Sequence, residues 1–305
     1  MPIIKIVIFG ILFAVLTAAL VLGIVFGSTS INLFSINFKL YDETGYSTLT
    51  SSTETLNGSF ENITIDWVSG QIDIAKSEGT NISFSECYDD GSAVEYDDSL
   101  RYKADGNELT IRCKKSQWYI GFGKHKSKKL TLLLPEKEYN KLNIDTTSAD
   151  LNISEVKTNK LSVNSVSGEQ TYKNVTANSI DIDNVSGNLA FTGCTTDNLD
   201  CDGVSGRLSY IGSISVSIDV DTVSGDSNIE TDVTPNEIES DSTSAKFTLR
   251  LPADASFTAA ADSVSGSFIC DFATVKKGGK YICGGGISSY NFDSTSGDVE
   301  IYSLS

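Results

Sequence analysis

Aspartate, serine and glycine recur together along this chain at a spacing that could support chemistry. Serines stand at positions 148, 167, 186, 205 and 224, which is a period of 19 residues, and looser copies surround Ser69, Ser244, Ser265 and Ser296. Taking each serine as position zero, position −3 is an aspartate or asparagine in all nine copies. Rows of carboxylates could bind calcium or act as general acids and bases.

A structural role explains these recurring residues better than a catalytic one. A short carboxylate or amide can hold a tight turn through its own backbone, so position −3 is interpreted as a corner residue. Position +1 is glycine in seven copies and alanine at Ala149 and Ala245, which indicates close backbone approach rather than a need for positive φ. The G-G-x-G-x-D nonapeptide of calcium-binding β-rolls is absent. No metal and no cofactor is therefore predicted.

The only histidine gives little support to catalysis by a triad. His125 lies in a lysine-rich segment with no serine or cysteine signature beside it. No catalytic residue is assigned, and the chain is predicted not to be an enzyme. A polysaccharide-cutting β-helix enzyme is the alternative, and it would need paired carboxylates on an open face.

The six cysteines lack CxxC or Cys/His zinc spacing and are interpreted as disulfide candidates of an exported chain. Cys194 and Cys201 fall in core columns of one coil, where they could form a bridge or remain two buried thiols. Cys270 and Cys283 flank Lys276-Lys277-Gly278-Gly279-Lys280, which is typical of a hairpin turn. Cys87 and Cys113 would then pair by elimination.

One segment reverses the acidic character of the chain. Between positions 112 and 129 lie seven basic residues, no acid and several aromatic residues. A contact with anionic lipid headgroups or an anionic wall polymer is one interpretation. The other is a solvated hairpin that neutralises the acidic run from Asp89 to Asp98. The candidate contact residues are Arg112, Lys114, Lys115, Trp118, Lys124, Lys126, Lys128 and Lys129.

The elements that would position these residues follow from the apolar columns of the repeat. Positions −6 and −4 are mostly isoleucine, leucine or valine and position +5 is aliphatic or aromatic, with polar residues between −6 and −4. Spacing by two places −6 and −4 on one face of a strand. A fixed period near 20 indicates a solenoid whose coils bury their apolar sides against each other. The predicted fold is all-β, a single-stranded β-helix or β-solenoid with coils of about 19 residues.

The N-terminus predicts one transmembrane helix before this domain. Residues 6–26 contain no charge, and roughly 31 Å of helix would cross a bilayer. Lys5 is the only basic residue before the run, which favours a cytoplasmic Met1. A cleaved signal peptide is the alternative, although Val25-Phe26-Gly27 matches an A-x-A-like cleavage site poorly.

The predicted organisation is therefore a cytoplasmic tail (1–5), a signal-anchor helix (6–27), a juxtamembrane stalk (28–55) and an extracytoplasmic β-solenoid (56–305). Within the solenoid, residues 56–140 are irregular, 141–250 form regular coils, and 251–305 form terminal coils with a hairpin insertion. The formal net charge of −17 argues against a nucleic-acid partner.

Three motifs carry a resemblance to a known family. They are the D-x-V-S-G-D run, the L-x-L-P strand ends Leu132-Leu133-Leu134-Pro135 and Leu249-Arg250-Leu251-Pro252, and the stretch from Asp293 to Ile301. Over residues 56–305 the chain resembles the bacterial putative-adhesin family of β-strand-repeat envelope proteins. The resemblance implies a membrane-tethered cell-surface β-solenoid and carries over no catalytic residue.

The function expected from these features is non-enzymatic. The chain is predicted to be a single-pass membrane protein whose C-terminal domain binds an unknown cell-surface, wall-polymer or protein ligand, or scaffolds the envelope. A role in the envelope-stress response is a variant of the same interpretation. Residues with a specific function are expected where the repeat is interrupted, and residues with a structural role where the repeat is regular.

Overall fold

A computed structural model describes residues 43–114 and 126–304, together with the backbone of two short strands before them. The described chain is all-β, apart from a single 3-10 turn at Tyr96–Asp98. Its strands are β1 (Ile31–Leu33), β2 (Ile36–Phe38), β3 (Ser47–Thr48), β4 (Thr53–Leu56), β5 (Asn62–Ser77), β6 (Ile82–Tyr88), β7 (Arg101–Asp105), β8 (Glu108–Arg112), β9 (Lys128–Pro135), β10 (Glu138–Ser154), β11 (Lys157–Ser165), β12 (Gln170–Lys173), β13 (Thr176–Asn184), β14 (Leu189–Gly203), β15 (Leu208–Thr222), β16 (Ser227–Thr231), β17 (Glu237–Ser242), β18 (Phe247–Leu251), β19 (Phe257–Ser263), β20 (Phe268–Cys270), β21 (Thr274–Lys277), β22 (Lys280–Cys283), β23 (Ser288–Ser294) and β24 (Val299–Ser303).

The expected transmembrane helix lies outside the described residues. Within the described ranges, no helix is both long enough and apolar enough to cross a membrane. The signal-anchor at 6–27 and its orientation therefore stay predictions.

The described residues form two compact units, one ending at Glu169 and the other starting at Gln170. In the first unit, β5, β10 and β11 stack in parallel, with Leu142 opposite both Ile63 and Leu161. Position −4 stacks in the same way, from Ile65 through Ile144 to Val163, and all of these side chains are buried. The apolar columns predicted from the 19-residue period are confirmed.

The outer side of β5 is covered by a rung made of two separate strands. The first half of β5 pairs in parallel with β8 and its second half with β9. Strand β8 ends at Arg112 and β9 begins at Lys128, so residues 113–127 connect the two strands of this rung. We call residues 113–127 the basic insertion. The antiparallel strands β7 and β6 then pair with β8 and β9, and protect the parallel edge from further pairing.

In the second unit the aromatic residues of position +5 form part of the core. Tyr172, Phe191 and Tyr210 lie on successive rungs and are buried. The rings of Tyr172 and Phe191 stack with centroids 4.2 Å apart, and those of Phe191 and Tyr210 are 5.3 Å apart. Contacts between aromatic rings stabilise the fold beyond the contribution that comes from burying their apolar surface.

The last rungs of this unit do not stack in chain order. Strand β23 pairs in parallel with β17 on one side and with β19 on the other. Strand β24 likewise lies between β18 and β20. The hairpin β21–β22 makes this possible, because β22 pairs antiparallel to the outer edge of β19 and the chain then returns into the gap. The final coil is therefore an inserted rung.

In most coils the corner is held by position −2 rather than by the expected position −3. The Thr146 and Thr222 hydroxyls accept hydrogen bonds from the backbone N–H groups of Ala149 and Gly225, at 3.2 and 3.1 Å. The Asn184 amide donates to the Gly187 carbonyl at 2.9 Å. Position −3 lies inside strands on the face that points away from the core, because side chains alternate along a strand. The turn role predicted for position −3 is therefore corrected.

Close approach at position +1 is confirmed, but it is not the whole requirement. A Cβ on Gly206 or Gly225 would lie 2.2 or 2.0 Å from the carbonyl oxygen of the preceding corner. Gly70, Gly168, Gly187 and Gly206 also have positive φ, from 100 to 130°. At Gly70, Gly168 and Gly206 both the space and the backbone conformation require glycine.

Candidate functional site

Ten acidic side chains line the outward face of one sheet in the second unit. Parallel in-register pairing stacks two columns of them, and neighbouring strands are about 4.8 Å apart. Position −5 provides Asp181, Asp200, Asp219 and Glu239, and position −3 provides Asp183, Asp202, Asp221, Asp241, Asp293 and Asp262, in that spatial order. We call these ten residues the acidic face.

Burial and mutual repulsion disfavour the charged form of several of these carboxylates. Partial burial raises the pKa of Asp202 to about 8, and the charges of Asp200 and Asp221 add to the effect. The same causes raise the pKa of Asp219 to about 7 and that of Asp221 to about 6. At neutral pH the acidic face therefore holds protons that isolated aspartates would have released.

A shallow hollow lies beside this face at the corners of three successive coils. It encloses about 340 Å³ of space that is open to solvent, and its lining includes Cys201, Asp202, Arg207 and Asp221. Position −2 of the three coils also lines the hollow, as Asn184, Gly203 and Thr222. No aromatic side chain is among its lining residues. Within the described ranges, no three His, Cys, Asp or Glu residues are arranged to hold a metal ion.

A second polar cluster lies at the base of the basic insertion. The Lys128 ammonium bonds to the Glu86 carboxylate at 2.8 Å, and both side chains are only 3% exposed. It also donates to the backbone carbonyls of Asp98, at 2.5 Å, and Cys113. Trp67, at position −2 of its coil, donates its indole N–H to the Lys128 carbonyl at 3.4 Å. This buried network fixes both ends of the insertion.

The predicted anionic-surface contact is wrong for Lys128, because its ammonium is buried and paired with Glu86. Four other candidates are in contact with groups of the chain itself. Arg112 pairs with Asp66 at 3.2 Å, Lys114 with Asp98 at 3.7 Å and Lys129 with Asp73 at 2.5 Å, and the Lys126 ammonium lies 4.6 Å from the centre of the Tyr88 ring. Lys115, Trp118 and Lys124 fall outside the described residues, so their surface contact stays a prediction.

Arg112 also ends a column of the repeat. It stands directly opposite Asp66, which in turn stands opposite Asp145. Burial and the Asp145 charge raise the pKa of Asp66 to about 6, while Arg112 opposes that rise. Asn164 donates to Asp145 at 2.6 Å on the other side. In the first unit, the column of Asp66 and Asp145 is therefore bonded at one end by Arg112 and at the other by Asn164.

None of the three candidate disulfides is present: all six cysteines are free, and no two lie within disulfide distance. Cys194 and Cys201 lie on one extended strand, on either side of a register shift between Thr196 and Asn198. They are the two buried thiols of the alternative interpretation. Burial raises the pKa of both thiols, which keeps them protonated and unreactive.

Strand register explains why the other cysteines do not meet. In the terminal hairpin, Thr274 rather than Cys270 stands opposite Cys283. Cys87 stands opposite Lys129 and so shares its face of the sheet, whereas the Cys113 thiol is buried near the ammonium of Lys128, whose side chain points to the other face. The spacing of cysteines in the sequence could not indicate these faces.

With the geometry established, the chain can be placed among known proteins. The family model described as Toastrack DUF4097 matches residues 60–302. The chain belongs to the Toastrack DUF4097 family. The match covers both compact units and agrees with the resemblance to putative adhesins that the repeat motifs suggest.

Several solved structures are also similar to the chain, at low sequence identity. A putative cell adhesion protein from Clostridium sporogenes ATCC 15579 is 13% identical, with a TM-score of 0.27, and the match covers 83% of this chain and 98% of that one. A putative adhesin from Bacteroides fragilis NCTC 9343 is 13% identical, with a TM-score of 0.41 and coverage of 83% and 96%. A putative lipid binding protein from Parabacteroides distasonis ATCC 8503 is 15% identical, with a TM-score of 0.41 and coverage of 86% and 98%. No curated protein matches the chain.

Proposed function

We propose that this Toastrack chain is a non-enzymatic binding module of the cell envelope, held at the membrane by residues 6–27 with its β-solenoid outside. The observation that carries the proposal is the use of the repeated polar residues. The side chain at position −2 forms a hydrogen bond across the corner, and the glycine at position +1 allows the close approach of a carbonyl from the neighbouring coil. The acidic face presents similar carboxylates on successive rungs. A surface built from similar rungs suits binding or scaffolding better than chemistry at one point.

The expected topology supports the same proposal. The uncharged run at residues 6–26 is long enough to span a bilayer, and the only preceding basic residue is Lys5. An anchored module outside the membrane would meet wall polymers or surface proteins, and a change in that contact could report envelope stress. Protein extracted from membranes is expected to keep its N-terminus, which intact mass measurement would check. A mature chain starting near residue 28 would indicate a cleaved signal peptide instead.

Retention on envelope fractions tests the binding role. Full-length protein in detergent is incubated with purified cell-wall sacculi, with sacculi stripped of their anionic polymers, and with membrane-protein extract. We expect saturable retention on one fraction and no release of reducing sugar ends. Failure to bind any fraction above an unrelated acidic β-protein would contradict the proposal.

A polysaccharide-cutting activity is the second candidate, and one observation favours it. Asp202 and Asp221 stand on adjacent rungs beside the hollow, with their pKa values raised to about 8 and about 6. A protonated acid beside a carboxylate is the pair that glycoside hydrolysis uses. The absence of an aromatic side chain from the hollow counts against a sugar platform. Release of reducing ends by the native chain, abolished in Asp202→Asn, would decide for this alternative.

A further inference from the structure

The terminal hairpin β21–β22 carries an exposed apolar and basic surface that the repeat does not need. Its turn residues Gly278 and Gly279 have φ values of 58 and 83°, as in a type I′ turn. The strands pair Val275 with Ile282 and Lys277 with Lys280. Because side chains alternate along a strand, these four residues share one face of the hairpin.

The opposite face of the hairpin is the one that packs on the protein. There the Tyr281 ring stacks on Phe268 with centroids 4.4 Å apart, and Cys283 is buried opposite Phe257. The Lys276 ammonium lies over the Tyr281 ring. The face with Val275 and Ile282 is consequently directed away from the rest of the unit.

A neighbouring residue extends this outward face. Val275 is 69% exposed and Ile287 is 84% exposed, which are unusual values for large aliphatic side chains in a chain with so many buried ones. Gly286, the residue before Ile287, lies against Ile282, because a Cβ there would be 3.2 Å from the Ile282 side chain. We call Val275, Lys277, Lys280, Ile282 and Ile287 the hairpin patch.

The charge of this region is opposite to that of the chain. Between Asp271 and Asp293 there are three lysines and no acid, whereas the whole protein has a net charge of −17. Among the described residues, Lys277 and Lys280 make no ion pair with any carboxylate, whereas Arg112, Lys114, Lys128 and Lys129 at the basic insertion all do. Lys277 and Lys280 are therefore available to bind an anionic partner.

We propose that the hairpin patch docks on an anionic phospholipid surface. Valine and isoleucine side chains enter the boundary between headgroups and acyl chains, while the lysines on the same face contact headgroup phosphates. A soluble polyanion would satisfy the lysines but would leave Val275 and Ile287 exposed to water. This contact does not depend on which envelope ligand the module binds, nor on whether its N-terminal segment is cleaved.

Vesicle binding by the full-length chain tests the proposal. The protein is held in phosphatidylcholine nanodiscs, which occupy its apolar N-terminal segment, and is sedimented with separate vesicles of phosphatidylcholine with or without phosphatidylglycerol. We expect binding only to the vesicles that contain phosphatidylglycerol. Since each lysine near an anionic surface contributes on the order of a fivefold gain, Lys277→Gln with Lys280→Gln should weaken binding roughly thirtyfold.

A second variant and a matched control separate lipid docking from simple charge attraction. Val275→Asn with Ile287→Asn should weaken binding about tenfold or more while keeping every charge. Lys141→Gln with Lys173→Gln removes the same charge from exposed sites elsewhere and should leave binding unchanged. Circular dichroism confirms that each variant folds. Binding lost with the lysines but kept in the asparagine variant would indicate a polyanion contact and overturn the proposal, as would equal binding to neutral vesicles.

Discussion

At the scale of single residues, the buried Lys128–Glu86 pair gives the clearest change of interpretation. From the sequence, Lys128 is one of seven cations in a basic stretch, and nothing in its neighbours distinguishes it. In the structure it occupies the place opposite Gly70, where other coils turn their corner, and its charge points inward. The alternation of β9, not the composition of the segment, decides which lysine faces the core.

Replacement of this lysine should be costly to stability. Lys128→Met leaves the Glu86 carboxylate buried without a counter-ion, with only the Leu100 N–H donating to it, so we expect a loss of about 3–5 kcal/mol in the free energy of unfolding. Lys129→Met, which breaks the more exposed pair with Asp73, should cost at most about 1 kcal/mol. Urea denaturation followed by fluorescence measures both. Addition of Glu86→Leu to Lys128→Met should recover most of the loss, and no recovery would show that the pair is not coupled.

At the scale of the coil, two glycines without positive φ differ in the space available for a Cβ. Gly225 has no room for a Cβ, because that atom would lie 2.0 Å from the Gly206 carbonyl oxygen. Gly203 does have room, since the nearest atom would be 3.5 Å away, in ordinary contact. Neither has positive φ. The same substitution should therefore have opposite effects at the two positions.

We expect Gly225→Ala to destabilise the protein by about 1–3 kcal/mol, because a neighbouring rung must move. Gly203→Ala should stabilise it by about 0.4–1 kcal/mol, because alanine restricts the unfolded chain and fits the folded one. Thermal and denaturant unfolding of the pair gives the comparison directly. A loss of stability in Gly203→Ala would mean that the hollow beside it has a role that the alanine disturbs.

The acidic face predicts an unusual dependence of stability on pH. The folded-state pKa values of Asp202, Asp219 and Asp221 are raised to about 8, 7 and 6, above the unfolded value near 3.8. The folded protein therefore holds protons that the unfolded chain releases, and the free energy of unfolding should fall as pH rises from about 4 to 8. Asp202→Asn should recover at least about 1 kcal/mol at pH 8 and almost nothing at pH 4, since a pKa raised by one unit corresponds to about 1.4 kcal/mol.

Urea titrations at several pH values measure this slope. Asp197→Asn provides the control, since Asp197 is an exposed aspartate of the same coil outside the acidic face, bonded to Ser215. It should not change the slope. Added salt should flatten the slope in the native chain, because it screens repulsion between neighbouring rungs. A flat profile at low salt would show that the folded and unfolded states hold the same number of protons over this range, and would contradict the prediction.

The coil is also where sequence reasoning succeeds most and fails in an instructive way. The columns at −6, −4 and +5 were predictable because burial selects apolar residues at a fixed period. The recurring aspartate predicts a corner residue at −3, although position −2 is serine, threonine or asparagine in seven of the nine copies. That signal was available in the sequence. The aspartate found at −3 in eight of the nine copies is more conspicuous, but in the second unit it forms the acidic face rather than the turn.

At the scale of the whole molecule, the order of the rungs could not be predicted from the repeat. Every coil has the same columns, so any coil can in principle pair with any other. Side-chain volume at the inserted rung offers a physical reason for the observed order. Tyr290 lies between Ile238 and Ala259, and Phe292 between Ser240 and Ala261. Large rings on β23 thus meet small side chains on at least one neighbour, which gives close packing without overlap.

Cross-linking can decide whether β23 is inserted between β17 and β19. Ser289 stands opposite both Glu237 and Thr258, so Glu237 and Thr258 are two rungs apart, at roughly twice the 4.8 Å strand spacing. Under mild oxidation, Glu237→Cys with Ser289→Cys should form a disulfide, because in-register neighbours fall within bonding geometry. Glu237→Cys with Thr258→Cys should not. Stacking in chain order would reverse this result, since β17 and β19 would then be adjacent, and non-reducing peptide mapping distinguishes the engineered bonds from the six native thiols.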